Sequence, residues 1–204
     1  MNEGRSPGRD ARVAGMRLVL GTAALMWVVE VIDTVDRHRL DQWGIEPRDA
    51  EGLRGVLTAP FLHAGFDHLV SNTIPFLVLG LLIALNGAFR VLAVTAVVML
   101  VGGLGTWLFA PENTLHIGAS GVVFGYASYL ISRGVFNKSV LELAIGALVV
   151  LVWGGALLGS LVPREGISWQ GHLFGAIGGI VAARLLAPRA RAATSGPRRV
   201  GLSA

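Results

Sequence analysis

The chain has 204 residues, 53% of them apolar and 15% charged, and a net charge of +4. A soluble domain carries about a quarter charged residues; here the apolar residues gather into long charge-free runs, the pattern of membrane spans and not of a soluble core. The Lys and Arg residues lie at the ends and in short connectors, which excludes a nucleic-acid binder, and without cysteine there is no disulfide framework or thiolate chemistry.

In chain order, residues 1–13 read as a basic N-terminal tail. A first span follows over about 14–33, with Arg17 and Glu30 near its ends and no small-residue cleavage site behind it, so it is read as an uncleaved span. Residues 34–66 form the one extended loop, mixed in sign, with Arg37, Arg39, Arg48 and Arg54 among Asp36, Asp41, Glu46, Asp49 and Glu51. Further apolar segments run over 69–89, 91–110, 117–132, 143–162 and 169–187, the last containing Arg184. The fold expected is an all-α, six-transmembrane-helix domain over 14–187. The Arg/Ala/Gly/Ser-rich residues 188–204 read as a disordered basic tail.

An N-terminus in the cytoplasm puts Arg5, Arg9, Arg12, Arg17, Arg90, Arg133, Lys138, Arg184, Arg189, Arg191, Arg198 and Arg199 on the inner side. Arg37, Arg39, Arg48, Arg54 and Arg164 are left outside. Positive charge favours the cytoplasmic side, so both termini are expected there, in a multi-pass protein of the cell membrane with the loop 34–66 outside.

Polar residues within spans are costly and point to function. His68 and Asn72 open the second span, Ser120 the fourth and His172 the sixth. These three spans run from outside to inside in this topology, so their first turns meet near the outer face. His68 and Asn72, four apart, share a helical face, and His63 stands just before it. Ser120 lies in Gly118-Ala119-Ser120-Gly121, where small neighbours allow close approach and the helix start offers unpaired N–H groups for an oxyanion. A serine needs a base, and a converging helix supplies His172. Each feature has a plainer reading when taken alone: Gly-flanked Ser as a packing position, His as an interfacial hydrogen-bonder, Gly175 and Gly179 as a small-residue helix contact. Their convergence on one layer favours chemistry.

Together these residues resemble the rhomboid family of intramembrane serine proteases. His63-Ala-Gly-Phe-Asp-His68-Leu-Val-Ser-Asn72, Gly118-Ala-Ser120-Gly121 and Gly171-His172-Leu-Phe-Gly175, continued to Gly179, are similar to its motifs on the second, fourth and sixth spans. The resemblance implies a rhomboid-like helical bundle with Ser120 as nucleophile, His172 as base and no carboxylate partner. It implies an oxyanion hole of His68, Asn72 and the Ser120 N–H, and Phe124 packed on His172. It also implies a transmembrane protein substrate in the lipid bilayer, cut near its outer end where its helix loosens, with the fifth span and residues 163–168 as a lateral gate. No cofactor and no metal is implied. Many members carry Trp-Arg in the first outer loop; Leu53-Arg54 stands here, with Trp43 nearby.

Two other functions fit parts of the pattern. An inactive rhomboid-like protein would bind client transmembrane segments, but such relatives usually lose one of the Ser–His pair. A metal-dependent hydrolase would use His63, His68, His116 and His172, yet no carboxylate accompanies them within the spans to serve the bound water.

Overall fold

The computed structural model describes residues 6–164 and 166–188. The expected tail 188–204 lies outside the described residues beyond Pro188, and so do the first five residues of the expected N-terminal tail. Among the described residues there are six long α-helices and one short one: α1 (Pro7–Val35), α2 (Gly55–Thr58), α3 (Phe66–Ala84), α4 (Ala88–Phe109), α5 (Ser120–Asn137), α6 (Val140–Gly159) and α7 (Trp169–Leu185). There is no strand among the described residues. One antiparallel bridge pairs Ile45 with His116. Four helices, α1, α3, α4 and α6, are long and apolar enough to cross a membrane, and the protein is a multi-pass membrane protein. The remaining two long helices, α5 and α7, have 18 and 17 residues; α5 is largely buried among its neighbours, while α7 packs on α5 and α4 and keeps Ile177, Ile180 and Leu185 exposed.

The helix ends follow local chemistry. Gly65 and Gly87, with φ of 101° and 93°, precede α3 and α4, a left-handed region open chiefly to glycine. The turn at Asn86-Gly87 therefore divides what the apolar run 69–89 presents as continuous. Ser139 and Ser168 cap α6 and α7 by accepting the N–H of Glu142 and Gly171. α1 begins at Pro7, seven residues before the expected span. At 29 residues it extends about 43 Å, longer than a hydrocarbon core of about 30 Å.

The core holds Val19, Phe76, Leu79, Val94, Val98, Tyr126 and Leu130. Phe76 stacks on Tyr126, whose hydroxyl bonds Thr95 Oγ1 at 2.6 Å. α7 packs chiefly against α5 and α4. Gly175 faces the Gly121 carbonyl and Gly179 the Gly125 carbonyl so closely that no Cβ fits at either position.

Two charges sit differently from the sequence reading. Arg133 is not a connector residue: it is buried within α5, paired with Glu142 in the first turn of α6 and bonded to Asn86 at 3.3 Å. Glu30 of α1 is buried in the protein and does not reach outward from a span end.

The loop between α1 and α3 is folded into short 3-10 turns and α2. Arg48 pins it to the end of α4 by bonds to Glu112 Oε1 at 2.8 Å and the Ala110 carbonyl at 2.8 Å. Arg54 lies 5.1 Å over the Trp43 ring, so an Arg–Trp contact forms in this loop although Leu53 precedes the arginine.

Candidate active site

Ser120 is the first residue of α5 and His172 lies in the first turn of α7. Tight α5–α7 packing at Gly175 and Gly179 brings the two helices' first turns together. Ser120 Oγ lies 2.9 Å from His172 Nε2. His172 Nδ1 lies 2.9 Å from the Ser160 carbonyl at the end of α6. A carbonyl only accepts, so Nδ1 carries the proton and Nε2 is free to accept from the Ser120 hydroxyl. Phe124 stacks flat on the imidazole, with centroids 4.2 Å apart and planes 5° apart. The ring is thus fixed by a face contact and a backbone acceptor, with no carboxylate in hydrogen-bond reach among the described residues. Ser160 was not singled out in the sequence, because a backbone carbonyl leaves no side-chain signature.

The donors gather on the other side of Ser120. Its own N–H has no hydrogen-bond partner among the described residues, as expected at a helix start. His68 Nδ1 accepts the Ala64 N–H at 3.3 Å, which leaves the proton of a neutral ring on Nε2. Asn72 Nδ2 donates to the His68 carbonyl at 3.0 Å and retains a second N–H. Both side chains face Gly118, two residues before Ser120. A Cβ there would stand 2.8 Å from His68 Nε2 and 3.8 Å from Asn72 Nδ2. Gly118 also has φ of 113°, so conformation and space both require glycine. His63 is buried and accepts the Ala119 N–H through Nε2 at 3.4 Å, with its ring edge-on to His68. Its position suits holding the Gly118–Ser120 segment rather than touching a substrate.

His116 has a role the sequence did not reveal. Thr114 donates its hydroxyl to the Pro111 carbonyl and accepts from His116 Nε2 at 2.8 Å. His116 Nδ1 then accepts the Ser168 hydroxyl at 2.6 Å, while Ser168 Oγ caps Gly171. Burial pushes the His116 pKa down, in keeping with a neutral ring in this chain of bonds. The loop before α5 is thereby tied to the turn that carries His172. Beside Ser120 a cavity opens between α4 and this loop, lined by Gly102, Thr106, Ile117, Gly118 and Gly121. Among the described residues, the four histidines near Ser120 form no metal-type cluster with a carboxylate.

An activated hydroxyl, an oriented neutral base and free N–H donors make up the parts needed for acyl transfer. The chain matches the Rhomboid domain model over residues 50–189. It is 46% identical over 193 residues to an uncharacterized protein of Mycobacterium tuberculosis, covering 91% of this chain and 80% of that one. It is 31% identical over 127 residues to a putative rhomboid protease, YdcA, of Bacillus subtilis, covering 62% and 63%. It is 30% identical over 133 residues to the rhomboid protease GluP of the same organism, covering 64% and 25%. The family match spans more than half of the chain and includes all three motif-bearing helices, and these similarities support intramembrane protease activity: the chain belongs to the rhomboid family.

Proposed function

We propose that this protein is an intramembrane serine endopeptidase that cleaves transmembrane protein substrates, with Ser120 as nucleophile and His172 as its base. The observation that carries this reading is the Ser120 Oγ to His172 Nε2 hydrogen bond, with the opposite ring nitrogen occupied by the Ser160 carbonyl. In the acylation step Oγ attacks the scissile carbonyl and Nε2 takes its proton. The oxyanion accepts the Ser120 N–H, His68 Nε2–H and Asn72 Nδ2–H. Collapse expels the amine, which receives the proton from Nε2. A water molecule then attacks the acyl-serine by the same route in reverse, freeing the acid and restoring the hydroxyl. His63, Gly118, Phe124, Gly175 and Gly179 position these groups. No cofactor takes part.

The substrate enters from the lipid bilayer as a helix that must loosen, because a helical peptide bond is shielded from attack. Entry past α6 and residues 163–168 is supported by the shallow burial of α6, whose buried residues are Gly146 and Val149; Glu165 lies outside the described residues. The protein is proposed to sit in the cell membrane with both termini cytoplasmic and the site near the outer face. The Arg distribution supports this with Arg133 set aside as a buried, paired charge. The membrane domain is taken as 14–187, with Pro7–Val13 as an interfacial extension of α1 leading from the cytoplasmic tail.

The test is cleavage of a model transmembrane substrate by the protein reconstituted in liposomes. Wild type is expected to give one dominant cut near the outer end of the substrate, and Ser120→Ala none. A protein that binds the substrate without cutting it would instead support a client-binding relative.

A further inference from the structure

At the outer end of α1 the protein gathers charged groups that the proposed protease chemistry does not use. Asp33 lies in the last turns of α1, and His38 and Asp41 in the turn that follows. One ligand atom from each lies within 4.8 Å of the others. His38 Nδ1 is 3.3 Å from Asp33 Oδ2 and 3.9 Å from Asp41 Oδ2. Asp33 Oδ1 accepts the Leu40 N–H at 2.7 Å, so Oδ2 is left to the cluster. The turn folds His38 back through two successive left-handed residues, Arg37 and His38, with φ of 58° and 59°, an uncommon conformation away from glycine.

Glu30 is a further, fully buried acid beside this turn. It lies one turn before Asp33 on the same face of α1, is 0% exposed, and neither of its carboxylate oxygens has a hydrogen-bond partner. The Gly65 N–H at the head of α3 lies near it without forming a hydrogen bond. Asp33 Oδ2 and Asp41 Oδ1 also lack hydrogen-bond partners. Buried carboxylates are stable when paired with cations or bound to metal, and no Lys or Arg pairs with Glu30, Asp33 or Asp41 among the described residues. Arg39, beside His38 in sequence, pairs with Asp36 instead.

We propose that Asp33, His38 and Asp41, backed by Glu30, hold one divalent transition-metal ion of the Zn2+ or Mn2+ kind. Carboxylates with one imidazole and no thiolate suit these ions, and the imidazole disfavours Ca2+ and Mg2+. Asp33 forms the closed wall of the site at 1% side-chain exposure, while His38 at 46% and Asp41 at 19% leave an entrance. The ion would clamp the end of α1 and the first turn of the outer loop against the head of α3, three residues before His68. It is structural and does not depend on the protease reading.

The test is equilibrium dialysis of the purified full chain in detergent, without a polyhistidine tag, against Zn2+, Mn2+ and Ca2+, with melting temperature as a second readout. One Zn2+ or Mn2+ per chain is expected, bound at least tenfold more tightly than Ca2+ and with a rise in melting temperature. Asp41→Asn and His38→Gln, at partly exposed positions, should each weaken binding at least tenfold and abolish that rise, with helix content unchanged. Asp36→Asn, outside the cluster, should bind like wild type. No binding, or binding that survives both substitutions because it sits at the histidines around Ser120, would overturn the proposal. So would a preference for Ca2+ that ignores His38→Gln.

Discussion

The seam between α5 and α7 and the exposed face of α6 are built on opposite terms. At the seam, Gly175 and Gly179 press against backbone carbonyls of α5 with no room for a methyl group, and ten residues of α5 are buried. Along α6, Gly155 and Gly159 have nothing within reach of a Cβ, and Leu151 and Leu158 face outward. Yet α6 ends on Ser160, whose carbonyl orients His172. Ser120 and His172 therefore ride on the tightest contact of the bundle, while the carbonyl that meets His172 Nδ1 follows the least buried of the long helices. On the proposed reading, rigidity holds the Ser120–His172 pair together and the thinly packed α6 is the side that admits substrate.

The comparison can be broken in several ways, beginning with the largest effect. Ser120→Ala removes the nucleophile and should lower turnover at least about 1,000-fold, by analogy with the loss of a nucleophile in soluble serine proteases, while the melting temperature stays within a few degrees. Gly175→Ala should force α5 and α7 apart. A displacement near 1 Å costs roughly 100-fold in rate, and overpacking costs about 1–3 kcal/mol; activity and thermal melting would register both. Gly155→Ala makes the same chemical change on α6 and should leave stability within about 1 kcal/mol of wild type with activity retained. Equal damage from these two glycines would end the distinction between seam and face.

A smaller effect is expected at Phe124. Phe124→Leu keeps apolar volume and loses the flat contact with His172, so kcat should fall roughly two- to tenfold, the value of an aromatic pair, with little change in KM. The smallest effect concerns His116. Its folded pKa lies below the unfolded value near 6.5, so the unfolded chain binds the extra proton first. Stability is therefore full above about pH 6.5 and declines as pH falls through that value toward the lower folded pKa. His116→Gln should flatten this part of the melting-temperature profile between about pH 7.5 and 5.5, and an unchanged profile would show that another group is responsible.

Much of this architecture was legible because membrane burial writes itself in long apolar runs, and because His68, Asn72, Ser120 and His172 are polar where polarity is costly. The segments 91–110 and 143–162 differ from α4 and α6 by only a few residues at each end. The turn at Gly87 was hidden inside a continuous apolar run, since a sharp turn between two spans needs only a glycine and an asparagine. Arg133 looked like a connector charge because its partner, Glu142, lies beyond the turn at Lys138, which folds back on α5. Glu30 reads as a span-end charge because nothing local reveals that the fold buries it completely. The Ser160 carbonyl was invisible for a different reason: every residue has one, and only the fold decides which meets His172. The type of His116 is plain in the sequence but its task is not, because that depends on Ser168, 52 residues away.

The most direct measurement of the central claim is mass-spectrometric mapping of a fluorophosphonate adduct on wild type and on His172→Ala, both in detergent and both checked for folding. The account predicts a single adduct on Ser120 in wild type and at least a hundredfold slower labelling in His172→Ala. An adduct at another residue, or Ser120 labelling that proceeds equally fast without His172, would contradict it.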